Sequence, residues 1–256
     1  MENQNVINVV PKRTKVIGVP ISAVNMEESL RFVSLNLEKI KGEYICASNV
    51  HTTVMAHEDR QYMKVQSESI LSIPDGKPLS IVGRMNGYPE MDKVTGTHFM
   101  QNIFTDGRFK GRKHYFYGTS ETTLNQMIPK VRKDYPELYI CGYEPSVFRK
   151  LTEAEIEELA QRINKSGADF VWIAIGAPRQ ELLMNRLKGK VNCLMVGVGG
   201  AFNILAGIVK DAPMWLQNVG LEWLYRLCKE PKRLFKRYFI TNSKFIFYLM
   251  TAKRIR

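Results

Sequence analysis

Residues 170–181 read FVWIAIGAPRQE, and this stretch decides the fold class. The six consecutive apolar residues 170–175 predict a strand that is buried on both faces, because a strand with one exposed face alternates apolar and polar residues. Gly176 ends the strand, and Pro178 stands in the first turn of a predicted helix. Such a strand, followed at once by a helix, is typical of parallel sheets.

The same pattern recurs along the chain. Short apolar runs rich in β-branched residues end at Gly, Pro, Asn or Ser, and segments of helical periodicity separate them. Asn25 with Glu28, and Thr152 with Glu155, have capping-box spacing and predict helices to about residues 40 and 164. This alternation predicts an α/β fold with a Rossmann-like parallel sheet flanked by helices. The other predicted strands are 15–19, 44–48, 70–73, 114–117, 138–141 and 193–198.

The last part of the chain differs in composition. Residues 210–256 contain eleven Lys and Arg against three acidic residues, so they carry +8 of the net charge of +12. Cationic and aromatic residues recur at helical spacing in residues 232–239, KRLFKRYF, and predict an apolar ridge beside a cationic flank. We expect an α/β domain over 1–208 and a basic amphipathic helical appendage over 209–256. The appendage would attract an anionic lipid surface, a nucleic acid or a pyrophosphate.

Several classes of protein and site are disfavoured. Residues 1–10 lack the apolar core of a signal peptide, and residues 245–250 are far shorter than the roughly 20 apolar residues that span a bilayer, so we expect a cytoplasmic protein. Neither a P-loop, a dinucleotide fingerprint nor a Gly-x-Ser-x-Gly elbow occurs. The four cysteines form no CxxC pair, and the histidines lack partners at ligand spacing. We therefore expect no cofactor and no metal.

Polar or glycine-rich segments follow the predicted strands. In an open α/β sheet the ligand binds beyond the carboxyl ends of the strands, so these segments form the candidate site. They are residues 48–53, 74–76, 118–120, 142–143, 176–181 and 197–203.

Asp75 is the candidate general base. It directly follows a predicted buried strand, and a partly desolvated carboxylate there suits the removal of a proton from an attacking hydroxyl. Asp-Gly is also an ordinary turn dipeptide, so a purely structural role for Asp75 and Gly76 stays open.

Other residues of these segments could hold a substrate. Gly118 and Gly199 precede predicted helix starts, where backbone N–H groups bind phosphate, although the Thr and Ser that follow Gly118 are residues that more often cap helices than bind ligands. Gln180 and Glu181 could hydrogen-bond a sugar or a base, or serve only the start of their helix. His51 follows the second strand, where an isolated histidine is also compatible with a structural role.

Six motifs follow one another in a fixed order. They are Ser48-Asn49-Val50-His51, Pro74-Asp75-Gly76, Val94-Thr95-Gly96, GAPRQE at 176–181, GVGGAF at 197–202, and a series from Ala212-Pro213 through GLEWLYRL at 220–227 to Tyr238. In this order they resemble the WecG/TagA/CpsF family of bacterial glycosyltransferases, glycosyltransferase family 26. The resemblance covers about residues 16–238.

The resemblance implies a metal-independent, inverting hexosyltransferase or N-acetylhexosaminyltransferase. It would move a sugar such as glucose or ManNAc from a UDP-sugar to a polyprenyl-diphosphate-linked sugar in cell-surface polysaccharide or teichoic acid synthesis. Asp75 would be the base. The appendage would dock peripherally on the anionic inner face of the membrane and neutralise the acceptor diphosphate with Arg226, Arg233 and Arg237. The expected substrate-binding residues are Asn49, His51, Thr52, Thr95, Gly118, Tyr143, Gly176, Gln180, Glu181, Gly199 and Asn203.

Some positions depart from the family pattern. Asn203 stands where Asp is common, and Asp211 and Lys93 stand where Arg is common. A catalytically inactive family member that acts as a partner subunit is therefore one alternative. A basic nucleic-acid-binding module is another, but it leaves the segments around Asp75 and Gln180 without a role, so we expect no nucleic-acid partner. A homo-oligomer stays open.

Overall fold

Strand β7 (Phe170–Ala174) lies inside a six-stranded sheet and is buried along its whole length. Phe170 and Trp172 pack into the apolar cluster on one face of the sheet. Val171 and Ile173 pack into the cluster on the other face, which explains the unbroken apolar sequence. The computed structural model describes residues 9–147, 149–213, 215–216, 220–229 and 231–252, without the side chains of residues 226, 233, 237 and 252.

The sheet is parallel at every pairing of neighbouring strands. Its strands in chain order are β3 (Tyr44–Ser48), β4 (Leu71–Pro74), β5 (Lys113–Gly118), β6 (Tyr139–Glu144), β7 and β8 (Leu194–Gly197). In space the order is β4-β3-β8-β7-β5-β6.

Helices cover both faces of the sheet. The helices of the described residues are α1 (Met26–Asn36), α2 (Val50–Glu58), α3 (Arg60–Ser67), α4 (Lys77–Met85), α5 (Gly96–Thr105), α6 (Glu121–Asp134), α7 (Glu153–Ser166), α8 (Arg179–Leu187), α9 (Ala201–Leu205), α10 (Glu222–Lys229) and α11 (Pro231–Ala252). Residues of α1, α5, α6 and α9 fill the cluster that contains Trp172, and residues of α7 and α8 fill the cluster that contains Ile173. The predicted α/β fold with a Rossmann-like parallel sheet is confirmed.

The N-terminal segment forms a hairpin, where the sequence predicts a single strand over 15–19. Strand β1 (Arg13–Val16) pairs antiparallel with β2 (Val19–Ser22). The turn consists of Ile17 and Gly18, whose φ angles are +45° and +85°. A two-residue turn of this kind needs positive φ at both positions, and isoleucine rarely adopts it. The predicted single strand over 15–19 is therefore wrong. The local sequence is typical of a continuous strand and does not indicate the turn at Ile17 and Gly18.

Both predicted capping boxes are present. The Asn25 side chain accepts the N–H of Glu28 at 3.0 Å, and the Glu28 carboxylate accepts the N–H of Asn25 at 3.0 Å. Thr152 and Glu155 make the same exchange at the start of α7. These pairs satisfy backbone donors that a helix start leaves without partners, and they fix where α1 and α7 begin.

The C-terminal helix α11 packs on α2 of its own chain. Phe245 is buried in the apolar cluster beneath the β1–β2 hairpin. The Tyr248 hydroxyl donates to Glu58 Oε1 at 2.8 Å, and Lys244 Nζ lies 2.7 Å from the same oxygen. Within the described residues, no helix combines the length and the apolar character needed to cross a membrane.

Candidate active site

The carboxyl ends of the six parallel strands lie along one edge of the sheet, the C-terminal edge. Ser48 at the end of β3 is the register partner of Pro74 at the end of β4. On its other side, Cys46 of β3 is the partner of Gly197 at the end of β8. The segments that follow these three strands are therefore neighbours on one edge, as predicted. Residues 142–143, predicted to follow a strand, instead lie inside β6 (Tyr139–Glu144), and that part of the prediction is wrong.

Asp75 lies at this edge, directly after β4. Its N–H donates to the Ser48 carbonyl at 2.7 Å, which fixes its backbone against β3. Gly76 follows with a φ of +137°, a conformation that favours glycine, and stands at the start of α4. The Asp75 side chain is half-buried. A carboxylate in this place is partly desolvated and still accessible, as a general base requires.

Asn49 and Thr52 cap helix α2 beside Asp75. Asn49 Oδ1 accepts the N–H of Thr52 at 3.2 Å, and Thr52 Oγ1 accepts the N–H of Asn49 at 2.9 Å. Thr52 is buried, whereas Asn49 and His51 are half-buried. The capping pair fixes the first turn of α2 one strand away from Asp75.

The segment before α5 runs along the same part of the edge. The N–H of Val94 donates to the Pro74 carbonyl at 2.9 Å. Thr95 Oγ1 accepts the N–H of His98 at 3.2 Å and so caps α5. These bonds bring Thr95 alongside the segment that carries Asp75.

Gln180 and Glu181 lie in the first turn of α8, and both side chains are buried. The N–H of Gly199 donates to Gln180 Oε1 at 3.1 Å, and Gln180 Nε2 donates to Glu181 Oε1 at 2.8 Å. The turn after β8 therefore rests on the Gln180 amide. Burial raises the pKa of Glu181 to about 6, although its interactions with Gln180 and Tyr62 act in the opposite direction.

A second part of the edge lies between β5 and β7. The chain leaves β5 towards β6 and leaves β7 towards β8, so the two connections diverge, as at the ligand sites of open α/β sheets. Gly118 has a φ of +133°, and a Cβ there would lie 2.7 Å from the Ala174 backbone, so only glycine fits. The next N–H, of Thr119, donates to the Ala174 carbonyl at 3.1 Å. Gly176, with a φ of +80°, belongs to the segment that follows β7.

Tyr143 and Asn203 lie in different parts of the site. Asn203 is half-buried in α9, just after the turn at 197–200. Tyr143 is exposed on β6, which ends the sheet on the side opposite β4. Strands β4 and β6 are five strand spacings apart. At about 4.8 Å for each spacing, Tyr143 lies roughly 24 Å from Asp75. The sheet therefore does not bring these two residues together.

The chain returns to the Asp75 end of the sheet where α10 begins. Lys93 forms an ion pair with Glu222, the first residue of α10, and the two side chains are only 12% and 20% exposed. Gly220 packs on Lys77, the first residue of α4, since a Cβ at Gly220 would lie 2.9 Å from Lys77 Cγ. The start of α10 is thus fixed beside Lys77, two residues after Asp75, and beside Lys93, whose neighbour Val94 bonds to Pro74.

Arg226 belongs to α10, and Arg233 and Arg237 belong to α11. Their side chains lie outside the part of the structure that is described. Their expected role towards the acceptor diphosphate therefore stays a prediction.

Comparison with known proteins places this edge and the C-terminal helices in one family. The model of the glycosyl transferase WecG/TagA/CpsF family matches residues 14–256. The chain belongs to this family. This glycosyltransferase is 28% identical over 198 residues to the N-acetylglucosaminyldiphosphoundecaprenol N-acetyl-β-D-mannosaminyltransferase of Bacillus spizizenii, which covers 77% of this chain and 75% of that enzyme. The enzyme of the same name from Bacillus subtilis is 27% identical over 193 residues, 75% of this chain and 73% of the relative.

The family match includes α10 and α11 as well as the sheet. Lys93 contacts Glu222 and Lys77 contacts Gly220, so each contact joins two parts of the sequence that the family model matches. Among the described residues, no three His, Cys, Asp or Glu side chains are grouped as metal ligands. Metal independence itself stays a prediction.

Two features of this glycosyltransferase are absent from the predicted site residues. One is the Lys93–Glu222 ion pair, whose partners lie far apart in the sequence. The other is a buried row of polar side chains in which Ser48 Oγ donates to Gln66 Oε1 at 2.8 Å and lies 2.7 Å from Ser72 Oγ. The hydroxyl residues Ser48 and Ser72 in otherwise apolar strands are the signal that could have indicated this row.

Proposed function

We propose that the protein transfers a hexose or an N-acetylhexosamine from a UDP-sugar to a polyprenyl-diphosphate-linked sugar. The names of the two Bacillus relatives support N-acetylmannosamine as the sugar and N-acetylglucosaminyl-diphosphoundecaprenol as the acceptor. The observation that carries the proposal is the half-buried Asp75 at the C-terminal edge of the sheet, with the start of α10 fixed beside it.

In the proposed reaction, Asp75 accepts the proton of the attacking hydroxyl of the acceptor sugar. The hydroxyl oxygen bonds to the anomeric carbon, and the bond from that carbon to the UDP oxygen breaks, with its electron pair leaving on UDP. Attack from the face opposite the leaving group inverts the anomeric configuration. A general base at such a step contributes about 10²–10⁴-fold to the rate.

The donor would lie along the edge from the β5–β7 segments towards Asp75. Gly176, where a Cβ would meet nothing within 4 Å, lets the backbone approach a diphosphate closely. Gly118 packs against Ala174 of the neighbouring strand, and the Gly199 turn stands between this part of the edge and Asp75. Negative charge grows on UDP as it leaves, and without a metal it would be stabilised by backbone N–H groups and by arginines. Asn49, Thr52, Thr95 and Gln180 would orient the two sugars. His51, Tyr143 and Asn203 keep their predicted substrate roles within this proposal.

The acceptor would approach from the membrane side, carried by the appendage. We place Arg226, Arg233 and Arg237 against its diphosphate, because Arg binds phosphate oxygens in a two-pronged geometry. We also propose that the protein lies peripherally on an anionic inner leaflet. Its catalytic part would be residues 1–208 and its appendage residues 209–256. The ion pair between Lys93 and Glu222 supports this proposal by joining the appendage to the edge that carries Asp75.

The direct test is Asp75→Asn, assayed with a panel of UDP-sugars and N-acetylglucosaminyl-diphosphoundecaprenol. We expect kcat to fall by about 10²–10⁴-fold while UDP binding persists, because the amide keeps the shape but cannot take the proton. Asp134→Asn, at the exposed end of α6, is the matched control and should keep the parent rate. Transfer by Asp75→Asn near the parent rate would remove Asp75 as the base. A parent protein inert towards every UDP-sugar would favour the inactive partner subunit.

A further inference from the structure

The carboxyl group of Glu181 is part of the site, yet the proposed mechanism does not use it. Glu181 is 0% exposed, so no substrate at the surface touches it. Its Oε1 atom accepts from Gln180, and apart from an interaction with the Tyr62 hydroxyl no hydrogen bond within the described residues reaches its Oε2 atom. An ionisable group in a dry interior destabilises the fold unless it is fully paired. Glu181 is therefore a candidate for a role in function.

A row of buried hydrogen bonds connects Glu181 to the strands beside Asp75. The Tyr62 hydroxyl interacts with the Glu181 carboxyl group and accepts from Gln66 Nε2 at 2.9 Å. Because the Tyr62 oxygen accepts from Gln66, its own hydrogen is available to the carboxylate. Gln66 Oε1 in turn accepts from Ser48 Oγ at 2.8 Å. The backbone carbonyl of Ser48 holds the N–H of Asp75.

Glu181 decides which way the Gln180 amide points. The amide directs Nε2 to the Glu181 carboxylate and Oε1 to the N–H of Gly199, so each donor meets an acceptor. A reversed amide would set oxygen against carboxylate oxygen and NH₂ against N–H, and both bonds would be lost. Hydrogen bonds to an ionised acceptor are about twice as strong as neutral ones, so the charge strengthens this preference.

We propose that Glu181 is a positioning residue whose ionised carboxylate orients Gln180, and that Gln180 in turn holds the Gly199 turn in the shape that receives the sugar donor. The inference rests on the proposed function, in which this turn faces the nucleotide-sugar. In this proposal Glu181 acts on the donor through Gln180, which explains how a wholly buried residue affects the reaction.

Of the titratable groups that interact here within the described residues, Glu181 is the one whose charge changes near neutral pH. In the described part of the chain, Tyr62 from α3 and Cys46 from β3 are the titratable groups that interact with it, and burial raises the pKa of both. Burial raises the pKa of Glu181 itself to about 6. Orientation of the Gln180 amide should therefore weaken as the pH falls through about 6.

Kinetics of Glu181→Gln between about pH 5 and pH 8 test the proposal, because this variant keeps the shape of the side chain and removes its charge. For the parent protein we expect kcat/KM for the UDP-sugar to fall about tenfold as the pH drops through about 6. Glu181→Gln should be about tenfold slower at pH 7.5 and should lack this fall. Its thermal midpoint at pH 7.5 should not decrease, whereas a purely structural role would lower activity and midpoint together.

Tyr62→Phe is the second variant. The Tyr62 hydroxyl lowers the pKa of Glu181. Removal of this hydroxyl should therefore raise that pKa and move the fall in kcat/KM to higher pH. Glu158→Gln, on the exposed face of α7, is the control and should keep the parent profile. The inference would be overturned if kcat/KM of Glu181→Gln fell on acidification as it does in the parent protein. It would also be overturned if the fall in Tyr62→Phe had the same midpoint pH as in the parent.

Failure of the proposed function gives a different result, namely a parent protein that transfers no sugar. In that event the side-chain ¹⁵N amide signal of Gln180 decides without substrate. It should shift with a midpoint near pH 6 in the parent and not in Glu181→Gln. A signal that does not respond to pH in the parent would refute the coupling.

Discussion

His114, at the start of β5, is 1% exposed and lies between aromatic rings. Its ring stacks on that of Phe170 with the centroids 5.4 Å apart. Trp172 Nε1 donates to His114 Nδ1 at 3.1 Å, so this nitrogen carries no proton. Burial lowers the pKa of His114 to about 3, although Asp169 acts in the opposite direction. The folded protein therefore holds this imidazole in its neutral form.

Acid should destabilise the protein through His114. An unfolded histidine binds a proton near pH 6.5 and the folded one only near pH 3, so stability is full above 6.5 and is lost as the pH falls towards 3. Between pH 7 and pH 5 the loss is about 2 kcal/mol. Urea unfolding of the parent and of His114→Gln at both pH values measures it. An equal pH dependence in the two proteins would contradict the assignment.

Glu181 contributes to the same pH dependence with the opposite sign. Its folded pKa is raised to about 6 from an ordinary 4.5, so its stabilising contribution is full below pH 4.5 and is lost as the pH rises through 6. Unfolding of Glu181→Gln in the same buffers should therefore show a steeper loss of stability on acidification than the parent protein. The two single variants separate the opposing contributions.

The sequence predicts those residues of the candidate site that lie in the segment after a strand. Asp75, Gly199 and Gln180 belong to this group, because the end of a parallel strand fixes on which edge the next residues lie. Tyr62 and Gln66 are different. They lie in α3, where an aromatic and an amide residue are compatible with any amphipathic helix, and only the packing of α3 on α8 brings them to Glu181.

At the level of elements, β7 and the β1–β2 hairpin mark what local sequence can determine. The strand β7 is predictable because burial on both faces removes polar residues from it. The hairpin is not, since its turn depends on Ile17 at positive φ, which pairing and packing impose against the residue's own preference. For the strands of the sheet, predicted ends differ from the observed ones by one residue at most places, as for residues 70–73 against β4 (Leu71–Pro74), and by three at the end of β6 (Tyr139–Glu144), predicted as 138–141.

The ion pair between Lys93 and Glu222 is the element-level contact that we expect to hold α10 on the sheet edge. Glu222→Lys should place two cations together, accelerate hydrogen exchange of the α10 amides at 222–229 and lower transfer activity. The reversed pair, Lys93→Glu with Glu222→Lys, should restore part of both. We expect a coupling of about 1–2 kcal/mol in the double-mutant cycle. Additive effects of the two substitutions would mean that the pair does not fix α10.

The surface of the whole molecule combines charge and exposed apolar residues in α11. Phe235 and Phe239 are 62% and 67% exposed, and their rings stack with centroids 6.2 Å apart. Lys232 and Lys236 are exposed in the same turns. Because Phe245 on the same helix is buried in the body, α11 cannot present these residues without bringing the rest of the molecule with it. This geometry suits an element that lies in a membrane interface while the sheet stays in water.

Flotation with vesicles tests this arrangement. We expect binding to phosphatidylglycerol vesicles, weak binding to phosphatidylcholine vesicles, and loss of binding as salt shortens the reach of the charges. Phe235→Ser with Phe239→Ser should weaken binding at least about tenfold, since each ring adds on the order of 1 kcal/mol when it enters the interface. Leu35→Ser, which removes an exposed apolar side chain from α1, should not. Equal binding to both lipids, or tighter binding to single-stranded DNA at physiological salt, would show that α11 serves another partner.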